Sequence, residues 1–191
     1  MKKIYILFTI HIIFIILLTI LEEKFGINYT ESKVSEMAQN PKELFFFAVI
    51  FAPIIEEFLF RYTLKRSKYY NVIILVNVFL FYLISQNYVF SIIYIILNLI
   101  TSIYFNNIRR HSLPLYLIIL NILLFTVIHT LNVDFNLLID QSKLKTIFQF
   151  LPQLLLGIIL SFIRLKQNFK IAIAYHCAYN LIFVLLSFTE N

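Results

Sequence analysis

The chain has 191 residues, 61% of them hydrophobic, with two glycines and four prolines, and a mean hydropathy of +0.86; this excludes a soluble domain and a loop-rich one alike. A formal charge of +6 would suit a nucleic-acid binder only if the basic residues gathered on a soluble surface. The single cysteine, Cys177, excludes an intramolecular disulfide and a cysteine-pair zinc site.

Taken in order, Lys2 and Lys3 precede an apolar run over residues 4–21, long enough to cross a bilayer as a helix. No small-residue cleavage site follows, so an uncleaved signal anchor is expected. Further apolar runs cover residues 44–64, 70–84, 88–105, 113–131, 147–163 and 171–188. The third run is short, and only "SQN" separates it from the fourth, so the two should form a tight helical hairpin. The expected fold is therefore an all-α polytopic transmembrane bundle of about seven spans, one integral membrane domain over residues 1–191. Composition and size suit the inner membrane of a bacterial cell.

Seven spans allow a charge test, because cytoplasmic loops carry the Lys and Arg. With the N terminus inside, the inner segments hold Lys2, Lys3, Lys65, Arg66, Lys68, Arg109, Arg110, Arg164, Lys166 and Lys170, and no acid. The outer segments hold Glu22, Glu23, Glu31, Glu36, Glu43, Asp134, Asp140 and Glu190, with only Lys24, Lys33, Lys42, Lys143 and Lys145. N-in, C-out is the expected orientation. The basic excess then reads as a topology signal, and the expected partner is the lipid bilayer, not nucleic acid.

The acids and bases left within a span are Glu56, Glu57 and Arg61, all in "EEFLFR". At about 2.5–3.5 kcal/mol per mid-span charge, three would cost about 7–10 kcal/mol uncompensated. The thirteen strongly apolar residues from Leu44 to Leu64 return roughly 4–8 kcal/mol on the same scale. Such a helix needs partners inside the bundle. Glu57 and Arg61, four apart, share a face and can pair; Glu56 lies about 100° around the helix without that partner, which makes it the better proton-transfer candidate. Pro53 cannot donate to the carbonyl of Val49 and should loosen the helix just before the pair.

Two further elements carry histidine: "FTVIH", with Phe125 one turn before His129, and "HCAYN", with His176 and Asn180 on one face. A base, a second proton carrier and two hydrogen-bond donors are what amide hydrolysis requires. At these residues the chain resembles the CPBP family of intramembrane proteases, also called the Abi family, which includes the type II CAAX prenyl endopeptidases. The family pattern, EExxxR, then FxxxH, then HxxxN or HxxxD, is present in order over about residues 44–188. The interval between the first two elements is wider than usual for the family, and the extra length is the hairpin of spans three and four.

The resemblance implies an intramembrane endopeptidase acting on a membrane-embedded or lipidated peptide. Catalysis would fall to Glu56 as base for a water oriented with His129, and to His176 and Asn180 as oxyanion donors. Glu57 and Arg61 would support Glu56, and Phe125 would support His129. It implies no cofactor; the alternative is a zinc site of Glu56, His129 and His176. Competing functions are a non-catalytic or immunity-type binding protein of the same family, and a small proton-coupled transporter with a Glu-His relay. Depth raises a difficulty: counted from the inner ends, Glu56 lies about 13 Å deep and His176 about 9 Å, but His129 about 25 Å. Of the remaining polar or small residues, His11 should make a polar contact or face a cavity, and Cys177, Gly157 and Ser161 should pack. His111 should be solvated in an inner loop.

Overall fold

In the computed structural model, which describes residues 2–24, 41–85, 88–108, 111–131 and 143–187, each of the seven apolar runs forms a helix. We number them α1 (Lys2–Lys24), α2 (41–60), α3 (Tyr70–Ser85), α4 (Tyr88–Asn107), α5 (Leu115–Leu131), α6 (Lys143–Lys166) and α7 (Phe169–Ser187). Among the described residues the only extended pairing is one antiparallel bridge, Lys65 to Ser112. Glu31, Glu36, Lys33, Arg109, Arg110, Asp134, Asp140 and Glu190, on which much of the charge test rests, lie outside the described residues.

The packing is inverted relative to a water-soluble bundle. Along α3 and α4, Val72, Leu75, Phe79, Val89, Ile92, Leu99 and Ile103 face outward, while Asn77, Ser91, Asn98 and Thr101 are buried. An apolar exterior of this extent suits lipid as the surrounding solvent. By length and composition, residues Ile4–Leu21 and helix Tyr88–Asn107 can cross a membrane. The apolar stretches Tyr70–Ile84, Leu115–His129 and Phe169–Leu185 are shorter than the usual spanning length.

Helix α2 changes character along its length: α-helical at Pro41–Leu44, π-helical at Phe45–Phe51, α-helical again at Ala52–Phe60, then one 3-10 turn at Tyr62–Leu64. Towards its C-terminal end helical backbone donors run out, and buried carbonyls left as orphans are costly. Five carbonyls at this end receive side-chain donors from other helices. Asn77 donates to the carbonyl of Phe58 (3.1 Å), the Tyr94 hydroxyl to Leu59 (2.7 Å), Arg164 to Arg61 (3.1 Å) and Tyr62 (3.3 Å), and Tyr70 to Thr63 (3.3 Å).

Three of these donors, Asn77, Tyr94 and Tyr70, come from the α3–α4 hairpin, the extra length between the first two motifs. Phe81 of α3 stacks on Tyr94 of α4 at 4.1 Å, and Phe60 of α2 meets both rings edge-on. The hairpin thus buttresses the end of α2. Tyr94→Phe keeps the ring and removes only the donor to Leu59, so it should lower unfolding stability in micelles by about 1–2 kcal/mol, measured by denaturant titration. Phe81→Leu, which loses the stacked ring alone, should not share that penalty in a double-mutant cycle.

Candidate active site

The short α-helical piece Ala52–Phe60 carries both glutamates. Glu57 is fully buried with Arg61, whose Nε lies 3.7 Å from Glu57 Oε1, as the i,i+4 spacing leads one to expect. Glu56 points elsewhere. Its Oε2 lies 3.0 Å from His129 Nε2 and 3.6 Å from His176 Nε2. The second carboxylate therefore has partners from α5 and α7, which i+4 counting along one helix could not reveal. Glu57 in turn accepts from His176 Nδ1 at 3.1 Å, so His176 bridges the two glutamates.

The apparent depth gap of His129 does not keep it from Glu56, which it meets at 3.0 Å, and side-chain direction contributes to that meeting. The starts of α5 and the end of α2 are tied by Leu113 N–H to the Leu64 carbonyl, which leaves eight residues back to Glu56 and sixteen forward to His129. Side chains on a helix lean toward its N terminus. The His129 ring accordingly folds back over the preceding turn, its Nδ1 donating to the Phe125 carbonyl at 2.8 Å. Glu56 leans the other way, toward the start of α2. Counting backbone rise alone omits both reaches.

That backbone bond also determines the proton inventory. A carbonyl only accepts, so Nδ1 of His129 carries a hydrogen, and Nε2 together with the facing Glu56 oxygen shares one further proton. The pair can therefore exist as imidazolium with carboxylate or as neutral imidazole with carboxylic acid. Both groups remain reachable: their side chains are 17% and 23% exposed, against 2% for His176 and 0% for Glu57 and Arg61. The Glu56–His129 edge is open, and the groups behind it are closed.

Phe125 is the floor of this arrangement. Fully buried, it lies 4.1 Å from the His129 ring centroid and directly beneath Arg61, whose Cζ sits 3.8 Å from the ring centre. None of the three Arg61 nitrogens makes a hydrogen bond among the described residues, so its charge is held by Glu57 and by the faces of Phe125 and Phe60. Asn180 stands apart from the glutamates: its amide nitrogen donates to the Ala48 carbonyl at 2.8 Å.

One contributor emerges only in three dimensions. A Cβ on Gly157 of α6 would meet Ile122 and Phe125 at 3.2 Å and Arg61 Nη2 at 3.5 Å. The small-residue pair Gly157 and Ser161 signalled close packing, as found, but not that the packing is against the arginine. Gly157→Leu should therefore displace Phe125 and Arg61, lowering stability by about 1–3 kcal/mol and catalytic activity with it. Gly157→Ala should have a smaller effect, the two compared by unfolding and turnover of the same preparations.

Other residues stay out of the cluster. His11 is buried, bonded through Nδ1 to the Tyr175 hydroxyl at 2.9 Å and stacked on Tyr179, which makes it a tie between α1 and α7. Cys177 is a partly buried free thiol, and exposed His111 contributes its carbonyl to Arg66 N–H. Among the described residues no group of three or more His, Cys, Asp and Glu side chains is arranged to hold a metal ion; Glu56, His129 and His176 approach one another directly.

A membrane-inverted helical bundle thus brings two glutamates and two histidines together from three helices, with a buried arginine behind them. The profile of the family described as type II CAAX prenyl endopeptidase Rce1-like matches residues 39–182. The chain belongs to this family of membrane proteases, and the match spans all three motifs. Neither the curated proteins nor the solved structures contain a significant match to the chain.

Proposed function

We propose that the chain is an intramembrane endopeptidase that hydrolyses a peptide bond of a membrane-embedded or lipidated peptide or protein, with Glu56 as the general base. The observation that carries this reading is the meeting of Glu56 with His129 at 3.0 Å and His176 at 3.6 Å at an accessible edge, backed by the buried Glu57 and Arg61. The protein would sit as seven spans in the bacterial inner membrane, N terminus inside.

In the proposed reaction a water beside Glu56 and His129 gives its proton to the Glu56 carboxylate as its oxygen bonds to the substrate carbonyl carbon. The carbonyl oxygen becomes an oxyanion. His176, which donates its Nδ1 hydrogen to Glu57, directs Nε2 toward the reacting edge and, as an imidazolium carrying a second hydrogen there, supplies the stabilising hydrogen bond. On collapse the C–N bond breaks, and the proton on Glu56 passes to the leaving amine, giving a carboxylic acid and an amine. Glu56 returns as carboxylate.

The test is cleavage of a pooled set of prenylated and unmodified membrane-anchored peptides by purified protein in nanodiscs, with and without a chelator, alongside Glu56→Ala and His129→Ala. Cleavage by the wild type that both variants lose, indifferent to chelator, is the expected result. Loss on chelation with restoration by zinc would replace the water-glutamate mechanism by a metal one. Cleavage that survives both substitutions would remove the assigned site, and binding of the pool without any cleavage would favour a non-catalytic role.

A further inference from the structure

Asn180, which the motif pattern reads as an oxyanion donor, is occupied by a backbone group on the other side of Pro53. In the π-helical stretch the Ala52 N–H reaches five residues back to the Phe47 carbonyl. The next N–H in that register would serve Ala48, but residue 53 is proline and has none. The Ala48 carbonyl is thus left without a helical donor in a half-buried position, where an unmet acceptor is costly. The Asn180 side-chain amide fills the vacancy at 2.8 Å.

Four residues earlier on the same face of α7, His176 holds Glu57. Helix α7 therefore grips α2 on both sides of Pro53, at Ala48 above it and at Glu57 below. Between the grips lies the change from π to α register. A π turn carries one residue more than an α turn, so its relaxation would rotate everything downstream by about 100° relative to the part above. Glu56 would then leave His129 and Glu57 would leave His176.

We propose that Asn180 is a positioning residue: its amide substitutes for the N–H that Pro53 lacks, and so locks the π register that aims Glu56 and Glu57 at the two histidines. The role in turnover rests on the endopeptidase reading above, whereas the clamp itself does not. This assignment needs no contact between Asn180 and substrate. Its signature is energetic dependence on residue 53.

Asn180→Leu, which keeps side-chain volume without a donor, is compared in micelles with and without Pro53→Ala, which restores an N–H; Asn180→Ala is run in parallel should leucine not fold. Three readouts are taken: unfolding midpoint, the 15N ring resonances of labelled histidine, and kcat and KM on a cleaved peptide. Asn180→Leu should shift the ring resonances of His129 and His176 and lower kcat by about tenfold with KM little changed, the worth of one hydrogen bond. Adding Pro53→Ala should move the resonances back toward wild type and recover most of the midpoint and kcat, a positive coupling across the cycle.

Additive losses, with resonances unmoved by either substitution, would overturn the clamp. So would a kcat equally low with and without Pro53→Ala, which would return Asn180 to the oxyanion. If no peptide is cleaved by the wild type, the endopeptidase reading fails alone, since midpoint and resonances still report whether residues 53 and 180 are coupled.

Discussion

Glu56→Gln should cripple peptide cleavage, lowering kcat by about 10²–10⁴-fold, the range expected when a general base is lost, while leaving the fold intact. Glutamine has the same shape and can keep a hydrogen bond to His129 Nε2, which lies 3.0 Å from the carboxylate, but it cannot accept a proton from water. His129→Ala should lose a similar factor, and the double variant little more than either single one, because the two groups share one proton and act as a unit. The loss corresponds to about 3–5 kcal/mol of transition-state stabilisation. Single-turnover assays on a cleaved peptide, with unfolding curves for each variant, separate lost chemistry from lost structure. Independent, multiplying effects of Glu56 and His129 would show that the 3.0 Å contact is not the catalytic one.

The helices were legible because membrane insertion imposes long apolar runs. The expected run at 4–21 lies inside α1 and that at 70–84 inside α3. Charges at depth were legible for the same reason, and Glu57 with Arg61 could be paired by counting along one helix. The partners of Glu56 could not, since His129 and His176 arrive from helices 73 and 120 residues further on, read from the chain numbering. Nor could the π register: it depends on an asparagine amide meeting a carbonyl that proline leaves unserved, a coincidence of two distant local facts. Pro53 announced a loosened backbone, but the vacancy was expected at Val49 in the α register, whereas the Ala52 bond to Phe47 shifts it to Ala48. The hairpin illustrates a third limit. Its apolar pattern foretold two helices, while its use, Asn77 and Tyr94 satisfying the end of α2, is a property of the packed state.

Arg61→Ala should be the most destabilising single substitution at the site, about 3–5 kcal/mol, because it leaves the fully buried Glu57 without its cation. Glu57→Gln should cost somewhat less, since Arg61 retains the face of Phe125 at 3.8 Å and glutamine still accepts from His176. Neither cost measures a net gain from the pair. An ion pair out of water is desolvated at both ends, and an apolar replacement of similar volume is often no less stable. The double variant Glu57→Gln with Arg61→Met should therefore recover most of the stability lost by the alanine change. It should not recover cleavage, because the charge that orients His176 is gone. Arg61→Lys is not a mild change here: a compact ammonium cannot stack over Phe125 as a planar guanidinium does, nor fill the wall beside Gly157. Unfolding free energies across this set, paired with turnover, distinguish two uses of the same charges. Stability and activity restored together would make the pair a structural tie between elements. Stability restored without activity would show that burial of Glu57 and Arg61 is tolerated for what it does to the histidine.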